Sequence, residues 1–476
     1  QRPQTVSLVL NAAGGPVASS PLPTLAQLPT ILGGDGRGTL SGTRPSSVCI
    51  DSRTCAPESL FFALPGERSD GHYYVQQAAV AGAAAAVVRA FTAPDGADWP
   101  LPVIVVSDAL EALHRLASWY RAEHLSAVRR IGITGSNGKT TCKEMTATVL
   151  SRHFRVHASA GNLNSETGLP LSVLATPAGV DIAVYEMAMS NPGEMAPLAE
   201  IVRPDIAAIT TIGTAHIGQL GSRQAIAAEK KDIAAAFSGT QTLIVPEDDD
   251  FREFLAAGVR GTVVDFGPLC QEAQLSGTPG GVRVSCAHGR ATVPLPGVHN
   301  GRNALLALRI GELCGVPQHE ALAALPEVRI PDGRGQQLRV RDVTIINDAY
   351  NANPGSMLAA IAAVAEARSL VLVLGDMHEL GAYERESHTE LATAAMGSGA
   401  RLVCLVGPRF RDAVASIADA SEGNAGRLHL AEDSAAAARI LQQQLRPGDT
   451  VLLKASRAVA LEKVIPVITA GEGARA

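Results

Sequence analysis

The sequence is poor in aromatic residues and has no long apolar run. Phe, Trp and Tyr make up 4% of the 476 residues, so the cores must be built from Ala, Val, Leu and Ile. A helix that spans a bilayer needs about 20 consecutive apolar residues, and no such run occurs. The stretch VSLVL near the amino terminus is too short for the apolar region of a signal peptide. A cytoplasmic location with no membrane partner is therefore expected.

Strong net charge, paired cysteines and two hydrolase motifs are also absent. The formal net charge is -6, which gives no electrostatic footprint for a nucleic-acid partner. None of the seven cysteines falls in a CxxC pair, so free thiols in a reducing cytosol are expected. There is no GxSxG nucleophile elbow and no HExxH zinc motif, which removes the support for hydrolase and metalloprotease functions.

What the chain does contain is an alternation of short apolar strands and Ala-rich helices. Strands are predicted at LFFAL, AAAVV, PVIVV, DIAVYEM, IAAITTI, TLIVP, VTIINDA, LVLVLGD, RLVCLVG and TVLLKAS. Such alternation indicates parallel sheets covered on both faces. We predict an α/β fold of three domains over residues 1–126, 127–326 and 327–476. The middle domain is expected to carry a P-loop on a parallel sheet, and the last to be Rossmann-like.

The sharpest local signal is a Gly-rich turn between a buried strand and a helix, in RRIGITGSNGKTTCKEM. Glycines let a backbone turn point its N–H groups at phosphate oxygens, and the following helix N-terminus favours the same anion. In this pattern the lysine neutralises the β- and γ-phosphates and the next hydroxyl ligates magnesium. Ile133 stands where the strict motif has Gly, yet strand, turn and helix follow in the required order. The predicted ATP-binding residues are Gly135, Ser136, Asn137, Gly138, Lys139, Thr140 and Thr141.

Three polar residues in the middle segment are candidates for metal binding. Glu186 ends the strand DIAVYEM, at the edge where open sheets place ligands, although a charge at a helix start would also explain it. His216 follows the strand IAAITTI and could be a metal ligand or merely structural. Lys230 lies in AIAAEKKDI, which by itself indicates a solvated helical face.

Further candidates lie near the junction of the second and third segments. Asn300 and Asn303 share one face of a helix start, where their amides could read an adenine edge or cap the helix. Asp348 ends a strand and could bind a ribose or a cation. Arg334 is a candidate clamp on the γ-phosphate. Three more residues could hold a carboxylate or be ordinary polar groups at the surface, namely Lys454, Ser456 and Arg457.

Taken together, these motifs resemble the Mur ligase family over nearly the whole chain. The segment DSRTCAPESLFFALPGERSDGHYY is similar to the family's uridine-binding segment, and GITGSNGKTT is similar to its ATP loop. GNLNSETGLPLSVL, EMAMSNPGEM, GTAHIGQLGS and GVHNGRNALLAL resemble central motifs in the family's order. INDAYNANPGSM, VLGDMHELG and LLKASRAVALEKV resemble its carboxyl-terminal motifs. YNANPGSM and GDMHELG are typical of one branch of this family.

The resemblance implies an activity. It implies ATP-dependent ligation of D-alanyl-D-alanine to UDP-N-acetylmuramoyl-tripeptide through an acyl phosphate, with ATP and Mg²⁺, in peptidoglycan precursor synthesis, by a monomer. It makes Lys139, Lys230, His216 and Arg334 catalytic and Thr140, Glu186, His216 and Lys230 metal ligands. Lys230 would act there as a carbamate, which replaces the solvated-face interpretation. Asn300, Asn303 and Asp348 would contact the nucleotide. The implied substrate-binding residues are Ser52, Arg53, Asn164, Thr167, Asn351, Asn353, Ser456 and Arg457.

Two other functions remain open at this point. One is a neighbouring Mur-type ligase that adds a single amino acid, a MurE-like enzyme. The DNPR segment that those enzymes usually carry is missing from this sequence. The other is a P-loop module that binds a cell-wall nucleotide without catalysis, against which the complete set Lys139, Glu186, His216 and Lys230 argues. Lys231 beside Lys230 also leaves the identity of the carbamylated lysine to be decided.

Overall fold

Four sheets in three successive regions form the framework of the protein. The structure is a computed structural model, and it describes residues 5–6, 21–66, 69–90, 93, 96–278, 281–415 and 426–470. Positions 67 and 68 of the predicted uridine segment therefore lie outside the described residues. Within these ranges no helix is long and apolar enough to cross a bilayer.

The first region carries a five-stranded, mostly parallel sheet. In chain order, and including a short strand that pairs elsewhere, the elements are β1 (Thr5–Val6), α1 (Leu28–Leu32), β2 (Asp35–Arg37), β3 (Ser47–Cys49), β4 (Ser59–Phe62), α2 (Val75–Val80), β5 (Ala85–Val88), β6 (Val103–Val105) and α3 (Ala109–His124). The strand order is β2-β6-β5-β4-β3, with β2 antiparallel to β6 and the other neighbours parallel. The predicted strands LFFAL, AAAVV and PVIVV are confirmed as β4, β5 and β6.

The helix α3 ties the first region to the second. Asp108 caps it by accepting hydrogen bonds from the N–H groups of Leu110 and Glu111, which satisfies two of the donors that a helix start leaves open. One face of α3 packs on two helices of the second region. There Tyr120 Oη donates to Thr176 O at 2.9 Å. The buried residues Leu113, Leu116 and Tyr120 recur at helical spacing, but this spacing does not indicate that their partner lies in another region.

The second region is built on a parallel sheet with a small antiparallel sheet beside it. Its elements are β7 (Arg129–Thr134), α4 (Lys139–Leu150), β8 (Val156–Ala158), α5 (Gly168–Leu174), β9 (Ile182–Glu186), α6 (Met195–Val202), β10 (Ile206–Ile209), α7 (Ile217–Leu220), α8 (Arg223–Lys231), β11 (Thr242–Pro246), α9 (Arg252–Ala256), β12 (Thr262–Phe266), β13 (Gln274–Thr278), β14 (Gly281–Cys286), β15 (Gly289–Val293), α10 (Val298–Leu313) and α11 (Gln318–Ala324). The parallel sheet has the order β1-β8-β9-β7-β10-β11-β12. The strands β13, β14 and β15 form the antiparallel sheet.

Both faces of the parallel sheet are buried, as its continuous apolar strands require. In β9, Ile182 and Val184 belong to the core shared with α4 and α10. Ala183 and Tyr185 belong to the core on the opposite face, which continues into α3, α5 and α6. The strand β9 ends at Glu186, so the sheet delivers this carboxylate to its carboxyl edge.

The third region is built on a further, mainly parallel sheet with helices on both faces. Its elements are β16 (Gln336–Val340), β17 (Val343–Asp348), α12 (Pro354–Ala363), β18 (Leu370–Gly375), α13 (Glu384–Gly397), β19 (Leu402–Val406), α14 (Pro408–Ala415), β20 (Leu428–Ala431), α15 (Ser434–Gln444), β21 (Thr450–Lys454) and α16 (Val464–Ala470). The order is β16-β17-β21-β18-β19-β20, with β16 antiparallel to β17. The predicted α/β class with a Rossmann-like last region is confirmed.

One sequence expectation fails in the first region, because Cys49 and Cys55 form a disulfide. The chain turns through a 3-10 helix at Ser52–Thr54 and brings their Cα atoms to 5.8 Å, a separation that a disulfide can span. The prediction of seven free thiols is therefore wrong for this pair. The remaining cysteines are free, namely Cys142, Cys270, Cys286, Cys314 and Cys404.

Candidate active site between the central and carboxyl-terminal regions

The predicted P-loop connects β7 to α4 and depends on two glycines. Gly135 and Gly138 have φ angles of 145° and 80°, which residues other than glycine rarely adopt. A Cβ on Gly138 would lie 2.4 Å from Asn303 Oδ1, and one on Gly135 would collide with Thr210. Lys139 Nζ donates to Gly135 O at 2.8 Å. The loop therefore has the compact shape that a phosphate cradle needs, and Asn303 is in contact with it.

The first residues of α4 face the carboxyl end of β9. Thr140 Oγ1 donates to Glu186 Oε2 at 2.6 Å, and Asn164 Nδ2 donates to Glu186 Oε1 at 2.7 Å. The Glu186 N–H is held by Ser159 Oγ at 3.0 Å. Thr140 and Glu186 are both 2% exposed. Glu186 is thus a strand-end carboxylate and not a charge at a helix start.

This donor set fits a magnesium ion. Magnesium prefers hard oxygen ligands and usually combines one or two protein groups with phosphate and water oxygens. The hydroxyl of Thr140 and the carboxylate of Glu186 already touch each other. Among the described residues there is no group of three or more His, Cys, Asp and Glu side chains that could hold a metal unaided. Phosphate and water oxygens would therefore have to complete the coordination.

Lys230 is buried beside the P-loop lysine. It is 1% exposed, so the interpretation as a solvated helical face is wrong. Burial lowers the pKa of Lys230 well below its usual value, and the positive charge of Lys139 lowers it further. Burial also lowers the pKa of Lys139, while Glu186 opposes that shift. Lys231, by contrast, donates to Phe254 O at 2.9 Å and stacks on the Phe254 ring. Of the two neighbouring lysines, Lys230 is the one at the site.

His216 lies at the start of α7 in a left-handed backbone conformation, with φ 63°. Its Nδ1 is 2.9 Å from Glu379 Oε2, an ion-pair distance, but the ring is not aligned for a hydrogen bond. The contact with His216 lowers the pKa of Glu379. Glu379 belongs to the third region, so two regions meet at this histidine.

The two asparagines of α10 do not cap the helix. The N-cap position is Gly297, without a side-chain cap. Asn300 Nδ2 donates to Pro296 O at 2.7 Å, and Asn303 Nδ2 donates to Asn300 Oδ1 at 3.3 Å. Both asparagines are buried. Their side chains are therefore fixed at the edge of the P-loop.

The third region contacts the P-loop directly through an amide pair. Asn353 Nδ2 donates to Asn137 Oδ1 at 2.6 Å, and Asn137 Nδ2 donates to Asn353 Oδ1 at 3.4 Å. The same Asn353 caps α12 and forms a capping box with Ser356. Asn351 is bound locally, with Ala352 N donating to its Oδ1 at 2.8 Å.

Two arginines of the third region, Arg334 and Arg457, lie over the ring of Tyr350. The guanidinium carbon of Arg334 lies 3.9 Å above the Tyr350 ring, and that of Arg457 lies at 5.8 Å. Arg334 is close enough to Lys139 for its charge to lower the lysine pKa. Arg457 also donates to Glu462 at 2.9 Å.

An ion pair between a buried lysine and a partly exposed carboxylate lies at the carboxyl ends of β17 and β21. Lys454 Nζ donates to Asp348 Oδ2 at 2.6 Å and to Asn351 O at 3.2 Å. Lys454 and Ser456 are each 4% exposed, so neither is an ordinary surface group. Ser456 Oγ accepts from His378 N at 3.0 Å.

Not every predicted site residue joins this cluster. Ser52 and Arg53 lie in the first region, where Ser52 Oγ donates to Gln77 at 2.9 Å and Arg53 pairs with Asp51. That pairing lowers the pKa of Asp51. Thr167 lies at the start of α5, with its Oγ1 3.3 Å from Ser165 Oγ.

The rest of the loop holds two further predicted residues. Ser136 Oγ accepts from Gly213 N at 2.8 Å, which links the P-loop to the chain that follows β10. Thr141 is buried in α4.

Sequence reasoning missed two residues of this junction, Tyr350 and Glu379. Both lie inside motifs that were singled out, YNANPGSM and GDMHELG. The motif signal was present for both, but the spacing of the sequence does not show that Tyr350 contacts Arg334 or that Glu379 contacts the distant His216.

Family models match the chain in three consecutive stretches. They are described as "Mur ligase family, catalytic domain" over residues 45–121, "Mur ligase middle domain" over 133–311, and "Mur ligase, glutamate ligase domain" over 333–457. The stretches correspond in order to the three regions of the fold.

Whole-chain relatives and solved structures agree with these models. A UDP-N-acetylmuramoyl-tripeptide–D-alanyl-D-alanine ligase of Treponema pallidum is 41% identical over 88% of this chain and 93% of its own. The enzyme of the same name from Bacillus subtilis is 34% identical over 88% and 92%. A crystal structure of MurF from Acinetobacter baumannii matches with a TM-score of 0.85 and 28% identity, over 95% of this chain and all of that one.

A second structure, MurF ligase from Thermotoga maritima in complex with ADP, has a TM-score of 0.76 and 27% identity, over 90% and 98%. The resemblance that the motifs indicated thus extends to fold and to overall sequence. This chain belongs to the Mur ligase family, within its MurF branch.

Proposed function

We propose that this protein is an ATP-dependent ligase that joins D-alanyl-D-alanine to UDP-N-acetylmuramoyl-tripeptide in peptidoglycan precursor synthesis. The relatives at 41% and 34% identity carry that activity in their names, and the Thermotoga maritima structure contains ADP. The observation that carries the proposal is the convergence of the P-loop, Glu186, Lys230 and the third-region residues Asn353 and Glu379 on one junction.

ATP would lie on the P-loop with its phosphates at the N-terminus of α4. The backbone N–H groups of the loop and of the first turn of α4 would donate to these oxygens, except that of Ser136, which donates to Thr211 O at 2.9 Å. Lys139 provides a positive charge from the central region, and Arg334 provides a second from the third region. Asn300, Asn303 and Asp348 are the proposed contacts for the adenosine part.

Magnesium would be held by Thr140, Glu186 and His216, together with phosphate oxygens. When bound, it would neutralise the charge that develops on the transferred phosphoryl group. The 2.6 Å contact between Thr140 and Glu186 supports the oxygen-rich part of this set.

Lys230 is proposed to act as a carbamate. Only an unprotonated amine attacks carbon dioxide, and burial favours that form by lowering the pKa of Lys230. The nitrogen of the neutral amine bonds to the carbon of carbon dioxide and loses one proton, which converts an uncharged amine into an anionic oxygen ligand. The negative charge would then attract Lys139, whose positive charge disfavours a protonated Lys230.

The reaction then has two group transfers. A carboxylate oxygen of the tripeptide bonds to the γ-phosphorus of ATP, and ADP leaves. The amine of D-alanyl-D-alanine attacks the acyl carbon, phosphate leaves, and the amine nitrogen loses its proton. Because the acyl phosphate also reacts with water, closure of the third region over the P-loop would protect it.

The three regions divide these tasks. We propose that residues 1–126 bind the UDP precursor, with Ser52 and Arg53 at the uridine nucleotide. Residues 127–326 bind ATP, and Asn164 and Thr167 face the precursor's peptide end. Residues 327–476 bind the incoming dipeptide, using Asn351, Asn353, Ser456 and Arg457. The protein is proposed to act in the cytoplasm as a monomer, without a nucleic-acid or membrane partner.

The experiment measures ADP and phosphate release with ATP, Mg²⁺ and UDP-N-acetylmuramoyl-tripeptide, with and without D-alanyl-D-alanine. Release that depends on the dipeptide is expected. The Lys139→Ala variant is the negative control, because it removes the P-loop cation. Release that needs UDP-N-acetylmuramoyl-dipeptide and a diamino acid would instead identify a MurE-like ligase. Silence with every substrate pair would identify a non-catalytic nucleotide-binding module.

A further inference from the structure

Two turns from different regions dock against each other at the edge of the proposed metal site. One turn, His216–Gly221, includes α7 of the central region, and the other, Glu379–Tyr383, belongs to the third region. Gly218 N donates to Glu379 O at 3.1 Å, and Tyr383 Oη donates to Gly221 O at 3.4 Å. The two turns are therefore joined by hydrogen bonds that both end on backbone carbonyl groups.

The docking requires glycine on both sides. A Cβ on Gly218 would lie 2.7 Å from both Glu379 O and Gly381 N. A Cβ on Gly381 would lie 2.9 Å from Gly218 Cα. Since real Cβ atoms do not approach backbone atoms so closely, the backbones themselves form the contact. This is a specific junction between regions and not an incidental approach of two surfaces.

Both turns also hold a non-glycine residue in the left-handed region of backbone space. The φ angle is 63° for His216 and 65° for Glu379. Such conformations are uncommon outside glycine and persist when the surroundings hold them, often at functional sites. They are the same two residues whose side chains meet, with Nδ1 of the imidazole 2.9 Å from Oε2 of the carboxylate.

We propose that Glu379 is a positioning residue, whose carboxylate orients the imidazole of His216 for the magnesium ion. The inference rests on the proposed function. Histidines that bind metals usually donate their second ring N–H to a carboxylate, carbonyl or water, which fixes the ring and its tautomer. The 2.9 Å separation already lies within hydrogen-bond distance, so that rotation of the ring or the carboxylate, without movement of the backbone, would align that bond.

The carboxylate is more suited to this role than to stabilising the fold. The Glu379 side chain is 52% exposed, whereas the His216 side chain is 18% exposed. An exposed ion pair contributes little to stability, so its removal should leave the fold intact. Because Glu379 is supplied by the third region, His216 is oriented only while the two turns are docked. The arrival of the third region thus completes the site that activates the phosphoryl group.

The test uses Mn²⁺ as the probe, because it accepts the same oxygen and imidazole ligands as the magnesium site. Binding of Mn²⁺ to the full chain with ADP is followed by electron paramagnetic resonance of the free ion, which requires no turnover. Glu379→Gln should weaken Mn²⁺ binding about 10–100-fold, the usual effect of losing an outer partner of a metal ligand. The melting temperature should stay unchanged.

Two comparisons isolate the role. Glu386→Gln makes the same charge change at an exposed residue of α13 and should bind Mn²⁺ like the parent protein. In a His216→Ala background, Glu379→Gln should have no further effect, because it acts through the imidazole. In turnover, a higher Mg²⁺ concentration should restore the rate of Glu379→Gln, while KM for the dipeptide stays unchanged.

The outcomes separate this inference from the proposed function. Dipeptide-dependent ADP release by the parent protein, together with unchanged Mn²⁺ affinity in Glu379→Gln, would overturn the positioning role alone. An equal loss of affinity in the His216→Ala background would overturn it as well. Absence of dipeptide-dependent release in the parent protein would instead overturn the proposed function.

Discussion

Replacing Thr140 by Val tests the contact on which the proposed ATP and metal site depends. The substitution keeps the side-chain shape but removes the hydroxyl that donates to Glu186 at 2.6 Å. A hydrogen bond to a charged group contributes roughly 1.5–3 kcal/mol to stability. Glu186 keeps Asn164 as a second donor, so we expect a loss of about 2 kcal/mol. For a region of this size, that lowers the melting temperature by about 4–8 °C.

Differential scanning calorimetry would measure the shift, and ADP release would measure the activity. Because the hydroxyl is also a proposed magnesium ligand, kcat should fall by about 100-fold, as when one preorganised electrostatic group is removed. Thr140→Ser is the matched control, since it keeps the hydroxyl, and it should remain close to the parent protein in both assays. The reasoning would be refuted by a Thr140→Val variant with the parent melting temperature, or by Ser and Val variants that behave alike.

Three other predictions follow from buried or paired groups. Lys230→Ala should be largely inactive and regain part of its ADP release with formate or acetate, which can replace the carbamate oxygens; full activity without these anions would contradict the carbamate. Titration of the denatured, unreduced protein with a thiol reagent should count five thiols and, after reduction, all seven; seven before reduction would exclude the Cys49–Cys55 disulfide. Burial, and to a smaller extent the charge of Lys143, lowers the pKa of His157 from 6.5 to about 4. As the pH falls, the unfolded chain therefore binds a proton at this histidine before the folded protein does. The free energy of unfolding should then decrease as the pH drops from 6.5 towards 4. The loss should amount to roughly 3 kcal/mol, seen as a falling melting temperature, and should be largely absent in His157→Leu; an unchanged pH slope in that variant would show that other groups are responsible.

Much of the fold follows from apolar patterning, and the exceptions have physical reasons. The long buried strands β9, β17, β18, β19 and β21 were predicted because each is a strong local pattern. The sheet of β13, β14 and β15 was not, because its strands are partly exposed and mix polar with apolar residues. Such short antiparallel strands are stabilised by cross-strand pairing more than by local propensity.

The candidate site divides in the same way. The P-loop could be predicted because its chemistry is contained in seven consecutive residues. Lys230 illustrates the opposite case, since AEKKDI indicates solvent exposure and only tertiary packing places the amine in the interior. Glu379 was missed because its contact depends on how separate segments are brought together. The Cys49–Cys55 pair was missed because the sequence pattern does not show the 3-10 turn at Ser52–Thr54 that brings the two residues together. No local rule encodes the contact between Glu379 and His216, which are 163 positions apart in the sequence numbering.

The different ways in which the three regions are joined have a consequence for the order of events. The first region is attached by α3, which packs on α5 and α6. The third region contacts the P-loop through the Asn137–Asn353 amide pair, and its turn Glu379–Tyr383 contacts the turn His216–Gly221. Small junctions between loops and turns permit relative motion far more readily than packed helices do. The acyl donor, which is the UDP precursor bound to the first region, would keep a constant distance from the ATP phosphates while the third region moves. The amine acceptor, bound to the third region, would then arrive last. Its arrival would exclude water from the short-lived mixed anhydride of the tripeptide and phosphate.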